Sequence, residues 1–277
     1  MSLYRSMDRR ALDAAYNNAA AVADSAGYIE DWQRRSAALR TRLPAHLDLA
    51  FAAASPARLD FFSCGVAGAP VLLFFHGGYW QRNAKEGFAF IAEGPLARGM
   101  HVALAGYTLA PEARLDQIVG EARAALRWLH NGVAALGGDP ARIFVSGWSA
   151  GGHLAAMLMG EAAARGGLAL SGIYDLEPVR LNYLNDKLHL DVAEARRNSP
   201  LLHLPSRAGQ LLVAVGAEEL PELRRQSQEF AAAWRAHGLA GELRELPGCH
   251  HYSALEQLAH PEGALAKAAA TLAGKTA

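Results

Sequence analysis

The segment IFVSGWSAGGH, residues 143–153, places one serine between two glycines just after an apolar run. The run RIFVSG, residues 142–147, predicts a buried strand, and the residues from Ala150 onward predict a helix. The residues GWSAG, 147–151, therefore fit the pattern G-x-S-x-G in the strand–turn–helix context that it requires. Its glycines remove side chains that would collide with neighbouring backbone, and the turn would hold the Ser149 hydroxyl above the edge of a sheet.

The overall charge argues against two kinds of partner. Basic and acidic residues number 27 each in a chain of 277 residues, so the formal charge is zero. There is no basic excess to bind nucleic acid and no polybasic run to hold a membrane surface, so we expect neither partner. A small-molecule substrate is expected instead. A homodimer is compatible with the sequence, which leaves the oligomeric state open.

Targeting signals and metal motifs are missing from the sequence. The N-terminus has no signal-peptide pattern, and no stretch approaches the roughly 18 apolar residues of a membrane helix, so we expect a cytoplasmic protein. The cysteines are Cys64 and Cys249, which indicate no disulfide framework. No Cys/His pair at zinc spacing accompanies Cys249, so no metal is expected.

Apolar segments that alternate with helical ones predict the fold class. The predicted strands cover residues 58–63, 71–76, 101–107, 142–147, 167–172, 210–216 and 241–248. Helices between them imply an α/β fold with a mostly parallel, twisted sheet and helices on both faces. In such sheets ligands bind beyond the carboxyl ends of the strands.

Two segments lie outside this alternation, and we treat all of residues 1–277 as one domain. Residues 8–42 predict helices with a break at 24–28, and they form an N-terminal helical arm within residues 1–45. Residues 174–207 contain prolines and short apolar pieces, which indicate an inserted cap or loop. We expect this insertion to cover the binding crevice.

A second glycine-rich turn, HGGYW at residues 76–80, follows the predicted strand 71–76. Successive glycines let backbone N–H groups approach a ligand closely. We expect the N–H groups of Gly78, Tyr79 and Ala150 to form an oxyanion hole. His76 is expected to be structural, while Trp80 is either core packing or a wall of the substrate pocket.

A serine nucleophile needs a base and a carboxylate that orients it. The strand 210–216 is followed by Glu218 and Glu219, and we choose Glu219 as the acid with Glu218 as the alternative. The next strand is followed by His250 and His251, and we choose His251 as the base over His250. The predicted chemistry is acyl transfer through an acyl-enzyme, without a cofactor.

These segments resemble the arylformamidase (kynurenine formamidase) branch of the α/β-hydrolases, near the hormone-sensitive-lipase-like esterases. The similar segments are HGGYW, GWSAG, SGIYDLEPV, NSP at 198–200, LPELRRQSQEF, HHYSALE and GYTLAPEARLDQ. The resemblance implies a serine hydrolase that cleaves N-formyl-kynurenine to kynurenine and formate. By motif, the family's serine, acid and histidine fall on Ser149, Glu219 and His251. The family's acid is usually Asp before a Ser-Pro-Glu-Phe-like run, whereas here Glu219 stands before Leu-Pro-Glu-Leu.

Polar residues of the insertion are candidates for recognising an aromatic amino-acid substrate. They are Tyr174, Asn182, Tyr183 and Asn185. A charged substrate head would need an opposite charge, from Arg82, Arg180 or Asp175.

Two other functions compete with a formamidase. One is a carboxylesterase for short acyl esters. The other is a non-catalytic ligand-binding protein on a hydrolase scaffold, which a complete Ser–acid–His set argues against and which failure of an organophosphate probe to label Ser149 would favour.

Overall fold

The computed structural model describes residues 3–53 and 56–274. The two ends of the predicted domain, residues 1–2 of the arm and residues 275–277, therefore lie outside the described residues. In the described ranges the strands are β1 Ala45–Ala50, β2 Arg58–Phe62, β3 Ala69–Phe75, β4 His101–Ala105, β5 Gly138–Trp148, β6 Gly166–Leu170, β7 Gln210–Gly216 and β8 Gly241–Leu246.

The helices lie between and around these strands. They are α1 Arg9–Ala15, α2 Asn18–Ala21, α3 Ser25–Arg42, α4 Glu93–Ala97, α5 Leu115–Gly132, α6 Ala150–Leu158, α7 Glu177–Arg180, α8 Asn185–Leu188, α9 Val192–Arg197, α10 Pro221–Ala236, α11 Ser253–Ala259 and α12 Ala264–Leu272. Short 3-10 helices cover Lys85–Ala92, Val133–Leu136 and Pro200–Leu202. No helix among the described residues is long and apolar enough to cross a membrane.

All eight described strands form one sheet in the order β1-β2-β4-β3-β5-β6-β7-β8. β2 pairs antiparallel with β1 and β4, and every other pairing is parallel. The prediction of a mostly parallel sheet is therefore confirmed. Because β3 to β8 share one direction, the loops after these strands meet at a single edge.

Helices cover both faces of this sheet, as the continuous apolar strands predict. Strand β3 shows why its sequence is apolar throughout: Leu73 and Phe75 belong to one core, and Leu72 and Phe74 to the other. Side chains alternate across a strand, so a strand buried on both faces needs apolar residues at every position. Helices α5, α6 and α10 pack in the first core, and α3, α11 and α12 in the second.

Strand β1 is absent from the predicted strands, and the predicted break in the arm at 24–28 falls inside a helix. β1 is an antiparallel edge strand with mostly exposed or half-buried residues, so it lacks the apolar run that marks the central strands. Helix α3 begins at Ser25 and runs through the predicted break at 24–28, with Gly27 inside it. It ends before Pro44, as predicted.

A buried ionic cluster fixes the C-terminal end of the arm to the sheet. Asp60, on β2, is fully buried and forms an ion pair with Arg40 of α3. Lys85 Nζ lies 2.8 Å from Asp60 Oδ1 and 2.6 Å from both Asp48 Oδ1 and Glu86 Oε1. A buried carboxylate is tolerated only when it is paired, so α3 cannot shift without exposing or unpairing Asp60.

We expect Arg40→Gln to lower the free energy of unfolding by about 3 kcal/mol, because it leaves Asp60 with one fewer buried partner. Arg42→Gln is the matched control on the same helical turn. Its ion pair with Glu93 is largely exposed, at 64% and 37%, so we expect less than about 1 kcal/mol. Urea unfolding of the two variants measures this difference, and equal losses would contradict the role of the buried cluster.

Candidate active site

Ser149 occupies a strained turn between β5 and α6. Its backbone has φ 59° and ψ −117°, a conformation that residues other than glycine rarely adopt. Its N–H donates to the Leu170 carbonyl at 2.8 Å, and its carbonyl accepts from the His153 N–H at 3.1 Å. These bonds to β6 and α6 hold the turn in place, as strained residues at functional sites require.

The flanking glycines are needed because three backbone segments meet here. A Cβ at Gly147 would lie 2.2 Å from the Gly151 carbonyl oxygen. A Cβ at Gly151 would lie 1.9 Å from the carbonyl oxygen of Phe75, at the end of β3. Both distances are far below van der Waals contact, so any larger residue would force the turn apart. The predicted reason for these two glycines is confirmed.

Glu219 and His251 form a buried pair beside this turn. His251 Nδ1 lies 2.6 Å from Glu219 Oε2. The other carboxylate oxygen accepts from Ser171 Oγ at 2.5 Å and from the Gly216 N–H at 2.8 Å. With its acceptors satisfied, the carboxylate holds the proton of His251 on Nδ1 and leaves Nε2 to take another proton.

The alternative residues Glu218 and His250 point elsewhere. Glu218 is exposed, one residue before the buried Glu219. His250 Nδ1 accepts from the backbone N–H groups of Tyr252 and Ser253, each at 3.2 Å, at the start of α11. The structure therefore brings Glu219 together with His251 and leaves the other two residues outside this pair.

Trp148 ties the histidine loop to the serine turn. Its indole Nε1 donates to the His251 carbonyl at 2.9 Å, and the two rings lie 4.8 Å apart between centroids. The Trp148 ring also packs edge-on against Trp32 of α3, 5.3 Å away. The residue before the serine thus contacts both the base loop and the arm.

A cavity of about 390 Å³ joins these parts. Ser149, His251, Gly78 and Tyr79 all line it, while Glu219 lies behind His251. Among the described contacts, no hydrogen bond joins the Ser149 hydroxyl to the imidazole. Such bonds are often long in enzymes without substrate and tighten when it binds.

The HGGYW turn brings its backbone N–H groups to the same cavity. Phe75 of β3 pairs with Gly147 of β5, so the two loops leave adjacent strands side by side. Tyr79 and Trp80 both have positive φ, 53° and 59°, which is rare for aromatic residues and turns the backbone sharply. Within the described chain, the N–H groups of Gly78 and Tyr79 donate to no protein atom. Ala150, at the first position of α6, supplies the third N–H proposed for the oxyanion hole.

His76 and His153 are buried outside the cavity. His76 Nδ1 lies 2.8 Å from the Gly77 carbonyl, and its ring stacks on Tyr107 with centroids 4.4 Å apart. Burial lowers the pKa of both histidines to about 4, so both are neutral near pH 7. Neither lines the cavity, which is consistent with structural roles.

The N-terminal arm, rather than the insertion, covers the crevice. From the arm, Asn18, Ala19, Ser25, Ala26, Ile29 and Glu30 line the cavity, and no described residue of 174–207 does. The insertion lies behind the arm and supports it: the Tyr183 N–H donates to Asp13 Oδ1 at 2.9 Å. The expectation that residues 174–207 cover the crevice is therefore wrong.

The predicted substrate-binding residues Trp80, Tyr174 and Asn185 do not line this cavity. Trp80 is fully buried, and its ring lies nearly perpendicular to the His153 ring, with centroids 4.9 Å apart. Tyr174 is fully buried and stacks on Phe230, with centroids 4.2 Å apart. Asn185 closes its own loop through Leu190, whose N–H it accepts at 2.6 Å. Ring packing accounts for the place of Tyr174, and loop closure accounts for that of Asn185.

The three residues expected to pair with a charged substrate head also differ in whether they line the cavity. Arg180 pairs with Glu177 at 2.7 Å, and Asp175 accepts from Tyr4 and from the backbone N–H of Glu177. Arg82 alone of the three candidates lines the cavity, together with Glu30 and Asn83.

Two further residues of the site were not singled out from the sequence: Ser171, which is buried beside Glu219, and Asn18, which lines the cavity. Ser171 directly follows β6, and a polar residue at the carboxyl end of a central strand is a signal that could have found it. Asn18 gave no such signal, because it stands in an alanine-rich helix whose place over the crevice depends on tertiary packing.

Comparisons with known proteins show the family to which this chain belongs. A family model described as alpha/beta hydrolase fold matches residues 72–203. Kynurenine formamidase of Danio rerio is 30% identical over 245 residues, covering 83% of this chain and 82% of that protein. Carboxylesterase NlhH of Mycobacterium tuberculosis is 35% identical over 99 residues, covering 35% of this chain and 31% of that protein.

A solved structure extends the similarity to the whole fold. A protein from Silicibacter sp. TM1040 superposes with a TM-score of 0.84 at 29% identity, covering 94% of this chain and 98% of that one. The predicted α/β-hydrolase fold and the prediction of a hydrolytic enzyme are confirmed. The chain belongs to the kynurenine formamidase branch of the α/β-hydrolase superfamily.

Proposed function

We propose that this hydrolase cleaves a formyl amide of an aromatic amine, with N-formyl-kynurenine as substrate and kynurenine and formate as products. The observation that carries the proposal is that His251, held by Glu219 at 2.6 Å, lines the same cavity as Ser149. The similarity to kynurenine formamidase over most of the chain supports the formyl amide as the substrate class.

The first half of the reaction forms a formyl-enzyme. His251 Nε2 takes the Ser149 proton as Oγ attacks the formyl carbon. The resulting oxyanion accepts hydrogen bonds from the N–H groups of Gly78, Tyr79 and Ala150, each of which contributes on the order of 3 kcal/mol of transition-state stabilisation. The protonated imidazole then gives its proton to the amine nitrogen, and the C–N bond breaks.

The second half uses water in place of the serine. His251 takes a proton from water as its oxygen attacks the formyl ester, and then returns a proton to Ser149 Oγ as formate leaves. Glu219 stays ionised and stabilises the imidazolium in both halves. Glutamate is one methylene longer than the aspartate usual in the family, and the bonds from Ser171 and Gly216 fix where its carboxylate lies.

The alternative function is a carboxylesterase for short acyl esters, which the match to carboxylesterase NlhH over 99 residues supports. Both reactions use the same nucleophile and base, so the acyl group and the leaving group decide between them. We expect kcat/KM for N-formyl-kynurenine to exceed that for p-nitrophenyl acetate and p-nitrophenyl butyrate. Steady-state kinetics with the three substrates tests this, and a strong preference for butyrate would reject the formamidase.

Ser149→Ala should lower kcat by at least about 10³-fold, because it removes the attacking oxygen. Ser146→Ala is the matched control, since the Ser146 hydroxyl is also buried but has no hydrogen-bond partner among the described residues. We expect near wild-type turnover for that control. Activity retained in Ser149→Ala would remove the serine mechanism.

Glu219→Gln should lower kcat by roughly 10²- to 10⁴-fold with little change in KM, because a neutral amide cannot stabilise the imidazolium. The adjacent, exposed Glu218 provides the control, and Glu218→Gln should stay within about twofold of wild type. Turnover and thermal unfolding are measured on both. A larger loss in Glu218→Gln than in Glu219→Gln would assign the acid to the other residue.

A further inference from the structure

Asn18 carries a buried hydrogen-bond acceptor beside the catalytic cavity. The residue is 4% exposed and lines the cavity from the arm. Its Oδ1 has no partner among the described residues. A buried acceptor without a donor costs about 1–3 kcal/mol, so such an atom calls for an explanation.

The hydrogen bonds of Tyr79 fix which way the Asn18 amide faces. The Tyr79 hydroxyl donates its only proton to the Tyr16 carbonyl at 2.6 Å. It can therefore only accept from Asn18, whose Nδ2 lies 3.0 Å away. With Nδ2 used in this way, the free atom of Asn18 is the oxygen, which accepts N–H or ammonium donors and repels carboxylates.

Arg82 places an exposed positive charge on the same cavity. It forms no ion pair with any carboxylate in the described chain. Burial raises the pKa of Tyr252, which also lines the cavity, and the positive charge of the Arg82 guanidinium opposes that rise. Glu30 of α3, also exposed, lines the same cavity. The cavity thus combines a cation, a carboxylate and a neutral acceptor.

We propose that Asn18 and Arg82 form a subsite for the zwitterionic head of an α-amino acid, the Asn18 Oδ1 accepting from the ammonium group and the Arg82 guanidinium pairing with the carboxylate. Glu30 adds attraction for the ammonium group. This assignment rests on the proposed function and specifies how the leaving group is recognised. Both residues are specificity determinants, and neither takes part in the chemical step.

The opposite polarity of the two groups selects this class of ligand. A simple carboxylate would use Arg82 but leave the Asn18 oxygen unpaired, and a simple amine would leave Arg82 unpaired. An α-amino acid supplies both partners from one carbon atom. Charge-assisted hydrogen bonds are about twice as strong as neutral ones, so losing either partner should be measurable.

The test is direct binding, measured by calorimetry, which needs no turnover. The probes are L-kynurenine, its decarboxylated amine, and 2-aminoacetophenone, which keeps the aromatic ketone but has no amino-acid head. We expect Arg82→Gln to weaken L-kynurenine about tenfold or more and to leave the other two within about threefold. Asn18→Leu should weaken both probes that carry the ammonium group and spare 2-aminoacetophenone.

Arg127→Gln, which changes an exposed arginine on α5 away from the cavity, is the control and should change no affinity. Arg82 is exposed as well, so its substitution tests the subsite even where Asn18→Leu disturbs Tyr79 and the fold. The proposal is overturned if wild type binds L-kynurenine no better than 2-aminoacetophenone, or if Arg82→Gln weakens all three probes equally.

The same measurements separate this proposal from the formamidase. Head-dependent binding without hydrolysis of N-formyl-kynurenine would keep the subsite and reject the proposed reaction. Equal kcat/KM for N-formyl-kynurenine and for the formanilide of 2-aminoacetophenone would keep the reaction and reject the subsite.

Discussion

The close approach of three backbone segments is the constraint on which the site depends. The end of β3, the serine turn and the start of α6 meet at distances that leave no room for a Cβ at Gly147 or Gly151. This contact places the N–H groups of the HGGYW turn next to Ser149, because β3 and β5 are paired in parallel up to Phe75 and Gly147. The acid and base loops reach the same edge because they follow β7 and β8.

The central fold was predictable because it depends on patterns that are local in the sequence. Continuous apolar runs marked strands buried on both faces, and glycines marked the turns where backbone segments meet. Glu219 and His251 were predictable because each follows a strand of a sheet whose carboxyl ends converge. The sequence kept Glu218 and His250 open as alternatives to Glu219 and His251. Only the folded loops turn Glu218 and His250 away from the site.

The walls of the cavity could not be predicted in this way. Which segment covers the crevice is decided by long-range contacts, above all the burial of Asp60 by Arg40 and Lys85 and the packing of Trp32 on Trp148. Neither contact leaves a local pattern. The insertion was a reasonable candidate because it follows a strand end, yet its tyrosine and asparagine side chains serve packing and loop closure.

Trp148 couples the position of the nucleophile to the position of the base. It belongs to the same turn as Ser149, and its indole holds the carbonyl of His251. A displacement of the turn would therefore carry the imidazole with it, so the two groups keep their relative position although 102 residues separate them along the chain (251 − 149). Thermal fluctuation of the serine and of the histidine should accordingly be correlated, and loss of the indole would let them drift independently.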